Sequence, residues 1–192
     1  QAIANLSDVN CVILSDYGQG VIYDQGVERI TKHAKENNIP IIADPKLTGL
    51  HRTHEVDWII FQSRGFDLMK RRIGESDDRL AAESLIKSYG WKHLVVLAGE
   101  SGVTIYSKDK ETVHAPCTLS QLRQIIGLID AAVVAIAVSI SSGFDVSDTA
   151  LLTNAACECI LGAEATDSFS LSREDLIHRV GEIAWNLQVS KR

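Results

Sequence analysis

Short apolar runs that end in acids or glycines alternate with helical stretches along this chain. That alternation limits the fold more than any other feature. Residues 10–16, Asn-Cys-Val-Ile-Leu-Ser-Asp, read as a buried strand opening into the loop Tyr17-Gly18-Gln19-Gly20. A helix is predicted over 24–37, with Asp24 as its cap and Val27, Ile30 and Ala34 on one face. Residues 39–44 form a second strand ending in Asp44, followed by Pro45 and Lys46, and residues 58–61 a third. A polar helical stretch covers 66–73. A second helix over 77–89 carries the stripe Ala82, Leu85, Ile86 and Tyr89, with Gly90 placed to end it. Strands follow over 93–97 and 103–106, joined by Gly99-Glu100-Ser101-Gly102, and 112–115 pairs with the latter as an edge hairpin. Helices are expected over 130–141, 147–161 and 172–188, the last with a capping-box-like contact between Ser172 and Asp175. The pattern predicts an α/β fold, a mainly parallel sheet with helices on both faces, in one domain over residues 1–192.

In such sheets ligands bind outside the carboxyl ends of the strands. Asp16, Asp44 and Gly99 all fall at those ends, which directs attention to one rim. Two readings stay open for the acids: ligand-side groups, or ordinary strand-end and turn residues.

Charge narrows the partners. The net charge of −6 gives non-specific nucleic-acid binding no electrostatic support, and no basic run addresses an anionic membrane surface. The apolar stretch 131–140 is too short to span a bilayer and reads as a buried helix. The first residues carry no basic run or apolar stretch of the kind that marks a secretory signal. The chain opens on Gln1 instead of Met, as a fragment, a processed chain or an edited one would. Cys11, Cys117, Cys157 and Cys159 form no CxxC pair, and on a helix Cys157 and Cys159 diverge by about 200°. They read as structural thiols in a reducing cytoplasm. The six histidines show no metal-ligand spacing, so no metal site is expected from them. No nucleophile elbow and no P-loop is present. Gly18 and Gly20 begin a G-x-G, but Tyr23 stands where a dinucleotide fingerprint needs its third glycine.

Several segments, in order, resemble the ribokinase-like (PfkB) carbohydrate kinases, and among them the bacterial heptose-7-phosphate kinases. Ser15-Asp16-Tyr17-Gly18-Gln19-Gly20-Val21 is similar to their S-D-Y-G-K-G-V, and Asp44-Pro45-Lys46 to their D-P-K. Gly99-Glu100-Ser101-Gly102 resembles the G-x-x-G turn of the wider family. Ile126-Gly127-Leu128-Ile129-Asp130 sits where the family has T-G-A-G-D, and Leu152-Thr153-Asn154-Ala155-Ala156 resembles its A-N-A-A helix. The resemblance implies ATP and Mg²⁺ as cofactors, and a sugar or sugar phosphate as acceptor. It casts Asp130 as the base that takes the acceptor hydroxyl proton and Gly127 as part of the anion hole at a helix N-terminus. Gly99, Gly102 and Asn154 fall on the nucleotide side, and Asp16, Asp44 and Lys46 on the substrate side. Read without the resemblance, Asp130 is an acid favoured by the dipole of a helix's first turn. Gly127 is a loop glycine, and Asn154 lies on a helix surface.

The match breaks at several chemically important places. Gln124 stands where the family has an acid, and Ile126 replaces the threonine of T-G-A-G-D. Leu128 and Ile129 replace its alanine and second glycine, adding bulk where a phosphate passes. The N-x-x-E motif tied to magnesium falls at 62–65, where Gln62 and Gly65 leave no carboxylate. Gln19 removes a lysine near the phosphate site, and Leu97 replaces a threonine. The resemblance covers only the C-terminal, nucleotide-side part of a family member, without its N-terminal portion and β lid. Two functions compete: an ATP-dependent sugar or sugar-phosphate kinase core with impaired chemistry, and an inactive pseudokinase or assembly module. Pairing into a homo-oligomer through exposed sheet edges is a further expectation.

Overall fold

A computed structural model describes residues 6, 8–164 and 170–189. Strands β1 (Val12–Asp16), β2 (Ile41–Pro45), β3 (Trp58–Gln62), β4 (His93–Leu97), β5 (Val103–Ser107) and β6 (Val113–Ala115) form one sheet in sequence order. The pairs β1/β2 and β2/β3 are parallel, as continuous apolar runs predict. The helices are α1 (Asp24–Glu36), α2 (Ser63–Ile73), α3 (Asp78–Tyr89), α4 (Leu128–Ser141), α5 (Val146–Gly162) and α6 (Arg173–Val189). Two short 3₁₀ segments, Leu47–Thr53 and Gly99–Ser101, follow β2 and β4. The chain divides into two compact units, residues 1–96 with 105–112, and residues 97–104 with 113–192.

In the first unit, Leu14, Val27, Ala34, Ile41, Ile59, Leu85 and Leu94 share one core. Trp91 lies wholly inside it, stacked on Tyr89 at 4.6 Å, and its indole N–H donates to the Thr53 carbonyl at 2.7 Å. The aromatic ring thus anchors the end of the 3₁₀ segment that follows β2, with its polar edge satisfied. The predicted α3 stripe faces this core: Ala82, Leu85 and Ile86 are buried and Tyr89 is half-buried. Asp77 caps α3, accepting from the Leu80 N–H at 2.8 Å, and Gly90 ends it in the left-handed region at φ +73°. We expect Asp77→Ala to lower stability by about 1 kcal/mol, read as a lower urea midpoint with an unchanged m-value.

Asp24 does not cap α1. Tyr23 holds the N-cap position, and no side chain caps the helix. The Asp24 carboxylate instead accepts from Arg52 Nε at 2.7 Å and pairs with His51 Nε2 at 3.1 Å. Asp24 is the first helical residue, one position inside the cap, so its carboxylate is placed to meet Arg52 and His51 instead.

His93 stacks on Trp58 with ring centroids 4.0 Å apart, and its Nδ1 lies 2.8 Å from Ser107 Oγ. Burial first, then the Lys110 ammonium, push its imidazole down to about 4 from the ordinary 6.5. The unfolded chain therefore takes up the proton first as pH falls. Stability is expected to decline from pH 6.5 toward pH 4, by up to ~3 kcal/mol, and this contribution levels off below that. His93→Gln should flatten this limb of a stability–pH curve followed by denaturant titration.

In the second unit, α4 packs on α5 through Ala131, Ala135, Ala156 and Ile160, with Leu152, Leu171 and Leu176 at the margin. Small side chains here let the two helices approach closely. The apolar run 131–140 is not buried all round, as its composition suggests. Ala132 and Ile136 are inside, but Val134 is 54 % exposed and Val138 48 %. The α5 N-terminus is capped by Asp145, and the predicted Ser172–Asp175 contact opens α6, with Asp175 N–H donating to Ser172 Oγ at 3.0 Å. All four cysteines are free thiols. Burial pushes Cys157 well above the usual thiol range and Cys159 up to about 11, which keeps both protonated and unreactive at neutral pH.

Candidate functional site

The residues singled out from the sequence fall into two groups, one in each unit. In the first unit, the parallel register sets Ser15 beside Asp44 and Asp16 beside Pro45. Asp16 and Asp44 thus end neighbouring strands on one rim, as their positions in the sequence predict. Asp16 is 7 % exposed, Asp44 half-buried and Lys46 exposed. The Lys46 ammonium lies 5.6 Å from the centre of the Tyr17 ring, within cation–π range.

Asp16 is more heavily engaged than its position suggested. Its Oδ1 accepts the Gly18 N–H at 2.9 Å, which closes the turn after β1. Its Oδ2 accepts Arg52 Nη1 at 2.8 Å, and its backbone carbonyl accepts the Lys46 N–H at 3.1 Å. Gly49 closes the cluster. A Cβ at Gly49 would lie 2.3 Å from Asp16 Oδ2 and 3.1 Å from Arg52 Nη1, so only glycine lets the backbone pass the ion pair. The Arg52 guanidinium, and then His51, hold the Asp24 carboxyl below its ordinary range. Sequence reasoning missed Gly49, Arg52 and His51. Arg52 is 36 residues from Asp16, so no local spacing could have paired them.

In the second unit, Gly99 opens the 3₁₀ segment at φ +55° and Gly102 closes it at φ +88°, ψ −146°. Gly102 N–H donates to the Gly99 carbonyl at 3.0 Å, and the Ala98 N–H donates to the Gly102 carbonyl at 2.8 Å. A Cβ at Gly102 would stand 2.1 Å from the Ala115 carbonyl oxygen and 2.6 Å from Cys117 N. Gly127 is the N-cap of α4 in the left-handed region at φ +82°, and nothing lies within 4 Å of where its Cβ would be. Asp130 follows in the first turn and is exposed. Ile126 is 60 % exposed beside the cap, Leu128 is buried and Ile129 half-buried.

Asn154 is not a helix-surface residue. It is 1 % exposed, and its amide nitrogen donates to the Pro116 carbonyl and to Glu158 Oε1, each at 3.0 Å. Glu158 is itself buried. Oε1 also accepts the Thr118 N–H at 2.6 Å, while Oε2 accepts Arg179 Nε at 2.6 Å and the Thr118 hydroxyl at 3.0 Å. The Leu152–Ala156 segment therefore belongs to a network that ties the segment after β6 to α5 and α6. Its partners are 38, 40 and 21 residues apart in pairs, which sequence alone could not join.

The groups present can be tested against the implied ligands. The left-handed Gly127 with open space above it, ahead of the first-turn amides of α4, suits the approach of a phosphate oxygen. Magnesium finds less. Gln62 and Gly65 carry no carboxylate, and among the described residues no group of three or more His, Cys, Asp or Glu is arranged to hold a metal ion.

No family model matches the sequence. Curated relatives do. The chain is 26 % identical over 166 residues to the bifunctional protein HldE of Aliivibrio fischeri, covering 86 % of this chain and 34 % of that protein. It is 25 % identical over 178 residues to the bifunctional protein HldE of Shewanella denitrificans, covering 92 % and 37 %. Among solved structures, ribokinase from Thermotoga maritima superposes with a TM-score of 0.77 at 21 % identity, over 94 % of this chain and 60 % of that one. Phosphofructokinase-2 from Escherichia coli, in complex with substrates and products, gives 0.76 at 14 % identity, over 95 % and 60 %. The fold is ribokinase-like, and the sequence relatives are HldE proteins. The chain spans about a third of the length of those curated relatives. No described helix is long and apolar enough to cross a membrane.

Proposed function

We propose that this ribokinase-like chain is the nucleotide-side core of an ATP-dependent sugar or sugar-phosphate kinase of the HldE kind, with weakened chemistry. The observation that carries the reading is the cap of α4, where a left-handed Gly127 with open space precedes an exposed Asp130 in the first helical turn. The γ-phosphoryl group needs positioned donors for its equatorial oxygens and an acceptor for the attacking hydroxyl proton. The α4 amides supply the first, aided by the helix dipole, and the Asp130 carboxylate the second. ATP supplies the transferred group. Gly99 and Gly102 shape the turn on the nucleotide side. By the resemblance, Asp44 and Lys46 on the β1/β2 rim are assigned to the sugar or its phosphate, with Lys46 as the cationic contact. The residues at 62–65 do not fit magnesium, so no step is assigned to it.

A second reading, a pseudokinase or assembly module, has its own observation. Ile126 and Ile129 flank the cap where smaller residues would let a phosphate settle. Calorimetric titration with ATP and a transfer assay on heptose 7-phosphate separate the two. The kinase reading expects heat with ATP. It also expects transfer that falls by about 10²-fold or more in Asp130→Asn while ATP binding is retained. Absence of ATP binding at millimolar concentration hands the site to the second reading. Substitutions at Gly102 or Asn154 are unsuitable probes of binding here, because both positions are buried in packing and hydrogen bonds.

A further inference from the structure

The exposed loop Tyr17–Gly20 carries two glycines in the left-handed region, Gly18 at φ +71° and Gly20 at φ +82°. A glycine-rich exposed segment of this kind would ordinarily sample many conformations. One buried carboxylate restrains it. Asp16 holds the loop through the Gly18 N–H, and it holds the segment after β2 through the Lys46 N–H and Arg52. Arg52 extends the same guanidinium to Asp24 in the first turn of α1. Three separate stretches of chain therefore meet on a single ion-paired node. Gly49 is the backbone position that makes room for it, since its Cβ would overlap Asp16 Oδ2.

We propose that Arg52 is a positioning residue that acts through Asp16 to preset the Tyr17–Gly20 loop and the Lys46 turn of the β1/β2 rim. The inference rests on the sugar-phosphate reading for what the rim receives, but not for the strut itself. The Arg52 guanidinium is engaged by Asp16 and Asp24. It neutralises and orients Asp16, whose Oδ1 is then free to face only Gly18. The fork geometry of an arginine suits two carboxylates at once, which a lysine ammonium on a flexible stem does less well. Without Arg52 the buried Asp16 carboxylate draws water or rotates, and the Gly18 bond opens.

The test is amide hydrogen exchange resolved at Gly18 by NMR, in the native chain and in Arg52→Met, Arg52→Lys and Asp24→Asn. Gly18 exchange is expected to accelerate by about ten-fold or more in Arg52→Met, and by a larger factor than at Ile59 and Leu94, whose core amides report any global loss of stability. Asp24→Asn, which leaves the Asp16–Arg52 contact in place, should leave Gly18 close to native. If Arg52→Met does not fold, Arg52→Lys carries the same comparison with a smaller acceleration. Unchanged Gly18 exchange overturns the proposal, and so does an acceleration shared equally by Ile59 and Leu94, which would mean general loosening. Heptose 7-phosphate is titrated into the same samples. Weaker binding that follows Gly18 exchange across the variants supports the positioning role. A native chain that takes none of it, with Gly18 still released in Arg52→Met, defeats the sugar-phosphate reading and leaves the strut standing.

Discussion

Gly102→Ala is expected to destabilise the protein by about 2–6 kcal/mol, from glycine-only backbone geometry and overpacking together. Each cause is visible separately. The residue sits at φ +88°, ψ −146°, a region other residues avoid. Its Cβ would also meet the Ala115 carbonyl oxygen at 2.1 Å and Cys117 N at 2.6 Å, both backbone atoms that cannot swing aside. Relief requires the strand β6 and the Pro116–Thr118 segment to move, and the Asn154 and Glu158 bonds go with them. Urea denaturation followed by far-UV circular dichroism measures the loss. A midpoint within experimental error of native would mean that β6 yields easily and the close approach is not needed. By contrast, Gly127→Ala meets no atoms and suffers only from its left-handed φ, so its loss should be nearer 1 kcal/mol.

Replacing Glu158 by Ala is expected to remove about 3–5 kcal/mol, the usual effect of breaking a buried ion pair from one side. Glu158 is 1 % exposed and its two oxygens accept from Thr118, Asn154 and Arg179. Its removal leaves a guanidinium whose side chain is only 19 % exposed without its buried partner, and a buried amide short of one acceptor. Arg179 retains Glu182 at 2.7 Å, which offsets part of the loss. The informative comparison is Glu158→Ala with Arg179→Met and the double variant, by the same denaturation. A strong positive coupling between the two sites is expected. Additive losses would show that the pair is a by-product of packing and not the tie between α5 and α6.

Local physics was legible in the sequence. The strand and helix order could be read because strand burial shows as continuous apolar runs and helix burial as a 3.6-residue stripe, as at Ala82, Leu85 and Ile86. Stop signals were equally local: Gly90 ends α3, and Ser172 with Asp175 opens α6. The shared rim of Asp16 and Asp44 followed from a parallel sheet alone, since all strand ends then face one way. Tertiary structure decided what each of those residues touches. Asp24 looked like a cap because caps are read from neighbours, yet Arg52 and His51 claim it. Asn154 read as a nucleotide-side residue by resemblance or as a helix-surface one without it, and it is buried, with its amide donating to Pro116 and Glu158. The run 131–140 looked buried on every side, yet α5 covers only one face and leaves Val134 and Val138 to solvent. Gly49 carried no signal at all, because its requirement is the space occupied by an ion pair whose members lie 36 residues apart. Propensity, capping and periodicity act within a few residues and are written in order along the chain. Ion pairs, buried amides and close backbone approaches are set by distances in space, and only the folded chain fixes those.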